Sequence, residues 1–170
     1  MTHTRDRIQE YIATHPGEHF NALTRKLDLA PGQVQYHLKQ LTGQDAVVAD
    51  QYYGRTHYYT PEYDAWERGA IAVCRRETAR DILFVVLESG PATPAAVADS
   101  LDIARSTLEW HLDHLDEQGL VDKERDTQNH VTLVVSDPAA VVGLLEEITP
   151  SLSDRMVDRF TRLVDSLLEG

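Results

Sequence analysis

Apolar residues recur at helical spacing in three short stretches near the start of the chain, residues 4–14, 20–28 and 30–44. In the third stretch, Pro31 suits the first helical position and Gly43 suits a C-terminal stop. The connection between the second and third stretches is very short. This order and spacing predict a helix-turn-helix.

A β-hairpin is predicted directly after the third helix. Residues 46–49 and 51–59 are rich in β-branched and aromatic side chains, and Gly54 interrupts the second run. Three helices followed by a hairpin are the order of a winged helix. Arg55 would then lie at the tip of the wing.

The sequence repeats at an offset of 74 positions. Residues 22–30 align with residues 96–104, and Tyr36-His37-Leu38 aligns with Trp110-His111-Leu112, without a gap. Sustained similarity at one offset indicates a duplicated structural unit. We therefore predict a mainly α fold with small β-wings (α+β), made of two tandem winged helix-turn-helix domains plus a C-terminal helix.

The repeat also sets the predicted domain boundaries. The first winged helix-turn-helix domain spans residues 1–61, a connecting helix 62–77, the second domain 78–137 and a C-terminal helical segment 138–170. The apolar stripe of that last segment is wide enough to require burial, which favours a homodimer, with packing against the second domain as the alternative. The residues assigned to dimerisation are Leu152, Met156, Phe160, Leu163 and Leu167.

The outer face of the third helix carries the candidate binding chemistry. It is polar, rich in amides and nearly free of acid; glutamine can hydrogen-bond base edges, and lysine attracts phosphate. An arginine at a wing tip can enter a narrow minor groove or contact phosphate. The alternative is an ordinary solvated surface. The residues predicted to contact DNA are Arg25, Lys26, Gln33, Gln35, Tyr36, Lys39, Gln40 and Arg55.

Charge changes this picture in one respect. The formal net charge of -12 is unfavourable for a nucleic-acid binder. Residues 1–60, however, balance six basic side chains against six acidic ones, so the excess acid lies in residues 61–170. Abundant acid with only three lysines resembles proteins of salt-accumulating archaea. The first domain is therefore the better candidate for reading DNA.

The third helix of the second copy differs from its counterpart. Glu109, Asp113 and Glu117 would repel phosphate, and an exposed Trp110 suits a protein contact. We expect the second domain to act as a spacer or to dock a protein partner through the Trp110 face. An auxiliary phosphate contact stays open through Arg105, Lys123 and Arg125.

Several stretches resemble a known family. Residues 15–23, residues 32–38, residues 54–59 and, in the second copy, residues 106–112 resemble archaeal winged helix-turn-helix transcriptional regulators, broadly similar to the MarR and ArsR families. Together the two copies cover most of the chain. The resemblance implies a sequence-specific transcriptional regulator that binds double-stranded DNA. The third helix and wing would carry the contacts, on Gln33, Gln35, Tyr36, Lys39 and Arg55.

Other chemistry finds little support in the sequence. We recognise no phosphate-binding glycine loop, nucleophile elbow or metal-hydrolase motif, so we expect neither an enzyme nor a cofactor. His111, Asp113 and His114 lack further ligands at zinc-site spacing, so we expect no metal. The lone Cys74 excludes an internal disulfide.

Two further expectations concern location and an alternative function. Neither a signal peptide nor an apolar run of about 18 residues is visible. We therefore expect a cytoplasmic protein without a membrane partner. The rival hypothesis is a tandem winged-helix protein–protein module of a chromosome-segregation or transcription complex, which the overall charge and Trp110 favour.

Overall fold

The computed structural model describes residues 2–148, 165, 168 and 169. The chain divides into two compact units, Met1–Arg75 and Arg76–Gly170. The elements of the first unit are α1 (Thr2–Thr14), β1 (Glu18–His19), α2 (Phe20–Leu27), α3 (Pro31–Gly43), β2 (Val48–Tyr52), β3 (Arg55–Tyr59) and α4 (Ala65–Cys74). The described part of the second unit contains α5 (Glu77–Ser89), α6 (Pro94–Leu101), α7 (Arg105–Glu117), β4 (Val121–Arg125), β5 (Val131–Val135) and α8 (Pro138–Ile148).

The predicted fold class is confirmed, because helices dominate and the strands form small antiparallel hairpins. In the first unit α1 and α2 both pack against α3. The turn before α3 is tight, with Asp28 in the left-handed conformation (φ 52°) and Pro31 in the first turn of α3. Apolar positions that predicted the helices form the core together with Val47, which lies just before β2; the helical members are Ile8, Ile12, Leu23, Val34, Leu38 and Leu41.

The first wing is a β-hairpin whose turn has two residues. Tyr53 and Gly54 both have positive φ angles, 53° and 81°, which is the type I′ turn that matches the twist of the strands. The turn brings Arg55 opposite Tyr52 in the strand register. The sheet has the order β1-β3-β2, so β2 lies at its edge. The two-residue strand β1 was not predicted, because two residues are too short for a periodic pattern.

The predicted connecting helix corresponds to α4, which is shorter than residues 62–77 and belongs to the first compact unit. Asp64 and Glu67 form a capping box at its start. At its end, the Nε and Nη2 atoms of Arg75 donate to the carbonyl oxygen of Pro16 over 2.9 and 2.7 Å. Arg75 also forms a largely buried ion pair with Glu18 at 3.2 Å. These contacts extend the first unit beyond residue 61.

The duplication is visible in the backbone of the second unit. The helices α6 and α7 begin and end 74 positions after α2 and α3. Asp102 repeats the left-handed cap of Asp28, with φ angles of 53° and 52°. An isolated bridge between Ala92 and Leu133 takes the place of the β1–β3 pairing. The second wing has a longer turn, residues 126–130, between β4 and β5.

The described C-terminal portion begins with α8, in which Val141, Leu144, Leu145 and Ile148 are among the buried residues. The five residues assigned to dimerisation lie outside the described residues, so that assignment stays a prediction. In the part of the chain that the structure describes, no helix is both long enough and apolar enough to cross a membrane.

Candidate nucleic-acid interface

A cleft of about 720 Å³ lies between α3 and the wing of the first unit. The start of α2 forms one end of it, and Leu38 and Tyr58 contribute apolar surface to its lining. Its polar lining comes from Asn21, Gln35, Lys39, Thr42, Arg55 and Thr56. The cleft therefore combines hydrogen-bonding groups with two cations, and no acidic residue among those that the structure describes lines it.

Three of the predicted DNA-contacting residues meet in this cleft, namely Gln35 and Lys39 from α3 and Arg55 from the wing. The first two lie four residues apart and therefore project from the same face of the helix. Arg55 reaches the same space because the tight turn ends immediately before it. Two elements separated by a strand and a turn thus present their polar groups together.

The other five predicted residues do not line the cleft. Tyr36 is 52% exposed, and its ring meets that of His37 edge to face with the centroids 5.2 Å apart. Gln33 is also exposed, whereas Gln40 is partly buried. The remaining two are exposed in the last turn of α2, namely Arg25 and Lys26.

The start of α2 is a part of the site that sequence reasoning missed. His19 is the N-cap of this helix, and its Nδ1 atom accepts a hydrogen bond from the backbone N–H of Ala22 over 3.3 Å. The N-terminal end of α2, together with Asn21, lies at the cleft. A helix N-terminus carries partial positive charge, which suits a nearby phosphate. Histidine is not among the preferred N-cap residues, so the sequence carried no clear signal.

A second missed feature is a polar network on the wing. The Oδ2 atom of Asp50 accepts hydrogen bonds from the Tyr52 hydroxyl over 2.8 Å and from Arg68 Nε over 3.2 Å. Burial raises the pKa of the Tyr52 hydroxyl, and the bond to Asp50 raises it further. Burial opposes the charge of Arg68, but the interactions with Asp50 and Tyr52 outweigh it and raise the pKa of the guanidinium. The network joins α4 to the edge strand β2.

The corresponding surface of the second unit has the opposite chemistry. Glu109 stands 74 positions after Gln35, and Asp113 stands 74 positions after Lys39. Lys123 of β4 takes the place of Ala49 and lies 3.5 Å from Glu109 and 3.3 Å from Asp113. Ion pairs within the domain therefore join α7 to β4 where the first unit has its cleft.

The other basic residues considered for an auxiliary phosphate contact also have partners. Arg105 pairs with Glu109 at 3.1 Å, and Arg125 donates from Nη1 to Asn129 Oδ1 over 3.1 Å. The ion pair with Glu109 offsets the positive charge of Arg105, whereas the amide of Asn129 is neutral and leaves the charge of Arg125 in place.

Trp110 stands out on α7 because its side chain is 45% exposed. The guanidinium carbon of Arg76 lies 5.1 Å from the ring centroid, and the His114 ring meets the indole edge to face at 4.2 Å. Burial lowers the pKa of the His111 and His114 imidazoles; Arg76 lowers both further, although Glu117 opposes the shift at His114. Among the described residues, no group of three or more potential ligands could hold a metal ion.

Comparison with known families matches both units. A family model described as an N-terminal HTH domain matches residues 2–71, and a second, described as a helix-turn-helix domain, matches residues 76–124. This is a tandem helix-turn-helix protein.

The tandem helix-turn-helix protein has an archaeal relative. This chain is 24% identical over 137 residues to an uncharacterized HTH-type transcriptional regulator of Methanocaldococcus jannaschii. The alignment covers 81% of this chain and 34% of that protein. The chain thus spans about a third of the length of the curated relative that it matches.

Two solved structures are similar to part of the chain. HlyU from Vibrio cholerae is 20% identical with a TM-score of 0.46, over 55% of this chain and 98% of that one. Reduced AbfR bound to DNA is 16% identical with a TM-score of 0.42, over 86% of this chain and 92% of that one. Because both TM-scores are below 0.5, we draw no conclusion about this tandem helix-turn-helix protein from either similarity.

Proposed function

We propose that this chain is a sequence-specific, DNA-binding transcriptional regulator whose first unit reads DNA, acting in the cytoplasm without catalysing a reaction. The observation that carries the proposal is the convergence of Gln35, Lys39 and Arg55 on one cleft. A helix in the major groove and a wing in the adjacent minor groove leave one sugar–phosphate strand between them. The described lining of the cleft offers that strand two cations, Lys39 and Arg55, and no carboxylate.

The distribution of charge supports the assignment to the first unit. Residues 1–75 carry eight basic and nine acidic side chains, whereas residues 76–170 carry eight basic and nineteen acidic ones. Repulsion of phosphate would therefore be concentrated in the second unit. The archaeal relative, named as a transcriptional regulator, supports the same function.

The test begins with selection of bound fragments from random duplex DNA, followed by affinity measurements on the recovered site. Lys39→Ala should weaken binding to all sequences and reduce the slope of log affinity against log salt by about 0.9. Gln35→Ala should instead relax the preference at one base pair, by about 5- to 150-fold in discrimination. The matched control is Lys123→Ala, the same change at the corresponding surface of the second unit, which should leave DNA affinity unchanged.

Two results would overturn the assignment. One is unchanged affinity and specificity in both first-unit variants when they are correctly folded. The other is a loss in Lys123→Ala as large as that in Lys39→Ala, since the second unit would then contact DNA as well.

We also infer that the regulator is a homodimer, because the apolar stripe of residues 152–167 needs a covering surface. A dimer would present two DNA-binding units, one from each copy, to the two halves of a palindromic site. Leu163→Glu should shift the mass measured by sedimentation from dimer to monomer. The control Asp165→Lys, at an exposed position, should leave it unchanged. A monomeric unaltered chain would contradict the inference.

A second candidate function is a protein–protein interaction module. The exposed Trp110 beside Glu109 and Asp113 favours a protein partner over DNA at this face of the second unit. If this were the main function, selection from random duplex DNA would recover no motif at moderate or at molar salt. Recovery of one motif would support the regulator instead.

A further inference from the structure

We propose that Arg68 and Asp50 are positioning residues for DNA binding, holding the first wing where Arg55 can reach the DNA. This inference rests on the function proposed above, because it assigns a role in placing the same cleft residues. Neither Arg68 nor Asp50 lines the cleft. They would act through the wing and not by touching DNA.

The strand register places the side chain of Asp50, which binds Arg68, on the face of β2 opposite to that of Ala49. Ala49 pairs with Tyr58 across the two strands, and both line the cleft. Asp50 pairs with the buried His57, and successive residues of a strand point to opposite faces. The carboxylate of Asp50 can therefore bind Arg68 without occupying the space between α3 and the wing.

Arg68 is itself held in place by its neighbours. Its Nη1 atom donates to the carbonyl oxygen of Tyr63 over 2.7 Å, and its own carbonyl oxygen accepts from the Tyr59 hydroxyl over 2.6 Å. Its Nε atom is thereby directed at Asp50, at 3.2 Å. Arg68 is thus anchored through both its side chain and its backbone where it binds the edge strand β2.

The hydrogen-bonded chain continues to the tip of the wing. Asp50 accepts from the hydroxyl of Tyr52, and Tyr52 is the register partner of Arg55. Because β2 is an edge strand, it pairs on one side only, with β3. The ion pair from Arg68 of α4 therefore gives β2 a second contact, on a strand that has a neighbouring strand on one side only.

Asp50→Asn gives a test in which charge and positioning predict opposite results. Removing a negative charge from the first unit should strengthen DNA binding if charge alone matters. Positioning predicts a loss of affinity, about 3- to 10-fold, because the bond to Arg68 is weakened. The matched control is Asp45→Asn, an exposed carboxylate in the turn between α3 and β2. Its φ of 56° is one that asparagine tolerates, and this variant should bind DNA as tightly as the unaltered chain or more tightly.

The second arm combines Asp50→Asn with Arg55→Ala. If Asp50 acts by placing Arg55, Asp50→Asn should cost nothing further once Arg55 is absent. Arg68→Gln should behave in the same way, and Arg68→Lys should recover part of the loss. Should Asp50→Asn fold poorly, as judged by circular dichroism, Tyr52→Phe provides a milder break in the same chain and should lower affinity by a smaller factor.

The outcomes separate this proposal from the proposed function. If Lys39→Ala and Arg55→Ala leave affinity unchanged, the reading of DNA by this cleft is wrong, and the positioning role is wrong with it. If Lys39→Ala and Arg55→Ala weaken DNA binding but Asp50→Asn strengthens it, only the positioning role is overturned. Asp50→Asn would then behave like the control Asp45→Asn. An undiminished effect of Asp50→Asn in the Arg55→Ala background would also overturn it.

Discussion

The sharpest prediction on stability concerns Gly17, at the point where α1 gives way to β1. Its φ of 80° lies in the left-handed region that favours glycine. Its N–H donates to the carbonyl oxygen of Tyr58 over 2.9 Å, and its carbonyl oxygen lies 2.6 Å from Nδ1 of the buried His57. A Cβ atom built on Gly17 would lie 2.5 Å from the Cγ2 atom of Ile71 and 3.3 Å from Cε1 of Tyr59.

Gly17→Ala should therefore be destabilising for two separate reasons. The left-handed backbone costs a residue with a Cβ atom about 1–2 kcal/mol. The overlap with Ile71 adds a cost of the kind seen for overpacked cores, about 1–3 kcal/mol. The expected sum, about 2–5 kcal/mol, is a large part of the 5–15 kcal/mol that is typical of a folded domain.

Urea unfolding of the full chain, followed by circular dichroism, measures this loss. Gly54→Ala is the matched control, because its φ of 81° is nearly the same but no atom lies within 4 Å of the added Cβ. That variant should lose only the backbone share, about 1–2 kcal/mol. Adding Ile71→Leu to Gly17→Ala removes the branched methyl and should recover part of the difference. Equal losses in Gly17→Ala and Gly54→Ala would refute the argument from close approach.

Two more predictions concern buried polar groups. Tyr59→Phe removes the hydroxyl that donates to the Arg68 carbonyl oxygen over 2.6 Å, and should lower the free energy of unfolding by about 1 kcal/mol; an unchanged urea midpoint would contradict this. His111 and His114 have lowered pKa values in the folded chain because burial disfavours their charged forms. The unfolded chain therefore takes up protons first, and their stabilising contribution, complete above about pH 6.5, is lost as the pH falls below it. Between pH 7.5 and pH 5.5, the thermal unfolding temperature should fall less in the double variant His111→Gln/His114→Gln than in the unaltered chain. An equal fall in both would contradict the assignment of this pH dependence to the two histidines.

The helices and hairpins of both units could be predicted because their signals are local. The spacing of Val34, Leu38 and Leu41 decides which face of α3 is buried, whatever lies against it. Pro31 marks the start of that helix, and Gly54 allows the tight turn of the wing. The repeat at 74 positions then supplied the second domain without further assumptions. Apart from the repeat, each of these signals acts within a few residues of backbone.

The candidate site was predicted only in part, for a reason that is equally physical. Helical periodicity identified an outer face of α3, but it could not decide which of its residues share a cleft with Arg55. That depended on where the wing lies, and the wing is fixed by Arg68 and Asp50, which are 18 positions apart in the sequence. The packing of α4 on the first unit and the pairing of β1 with β3 are contacts of the same kind.

The sequence by itself thus determined the elements, their order and their duplication, together with the contrast between a neutral first unit and an acidic second one. Only the tertiary structure decided that Gln35, Lys39 and Arg55 line one cleft, and that Lys123 joins α7 to β4 at its counterpart. Backbone hydrogen bonds and side-chain periodicity act between near neighbours, so short stretches of sequence are enough to predict them. Ion pairs and clefts form between distant residues, and they exist only once packing has brought those residues together.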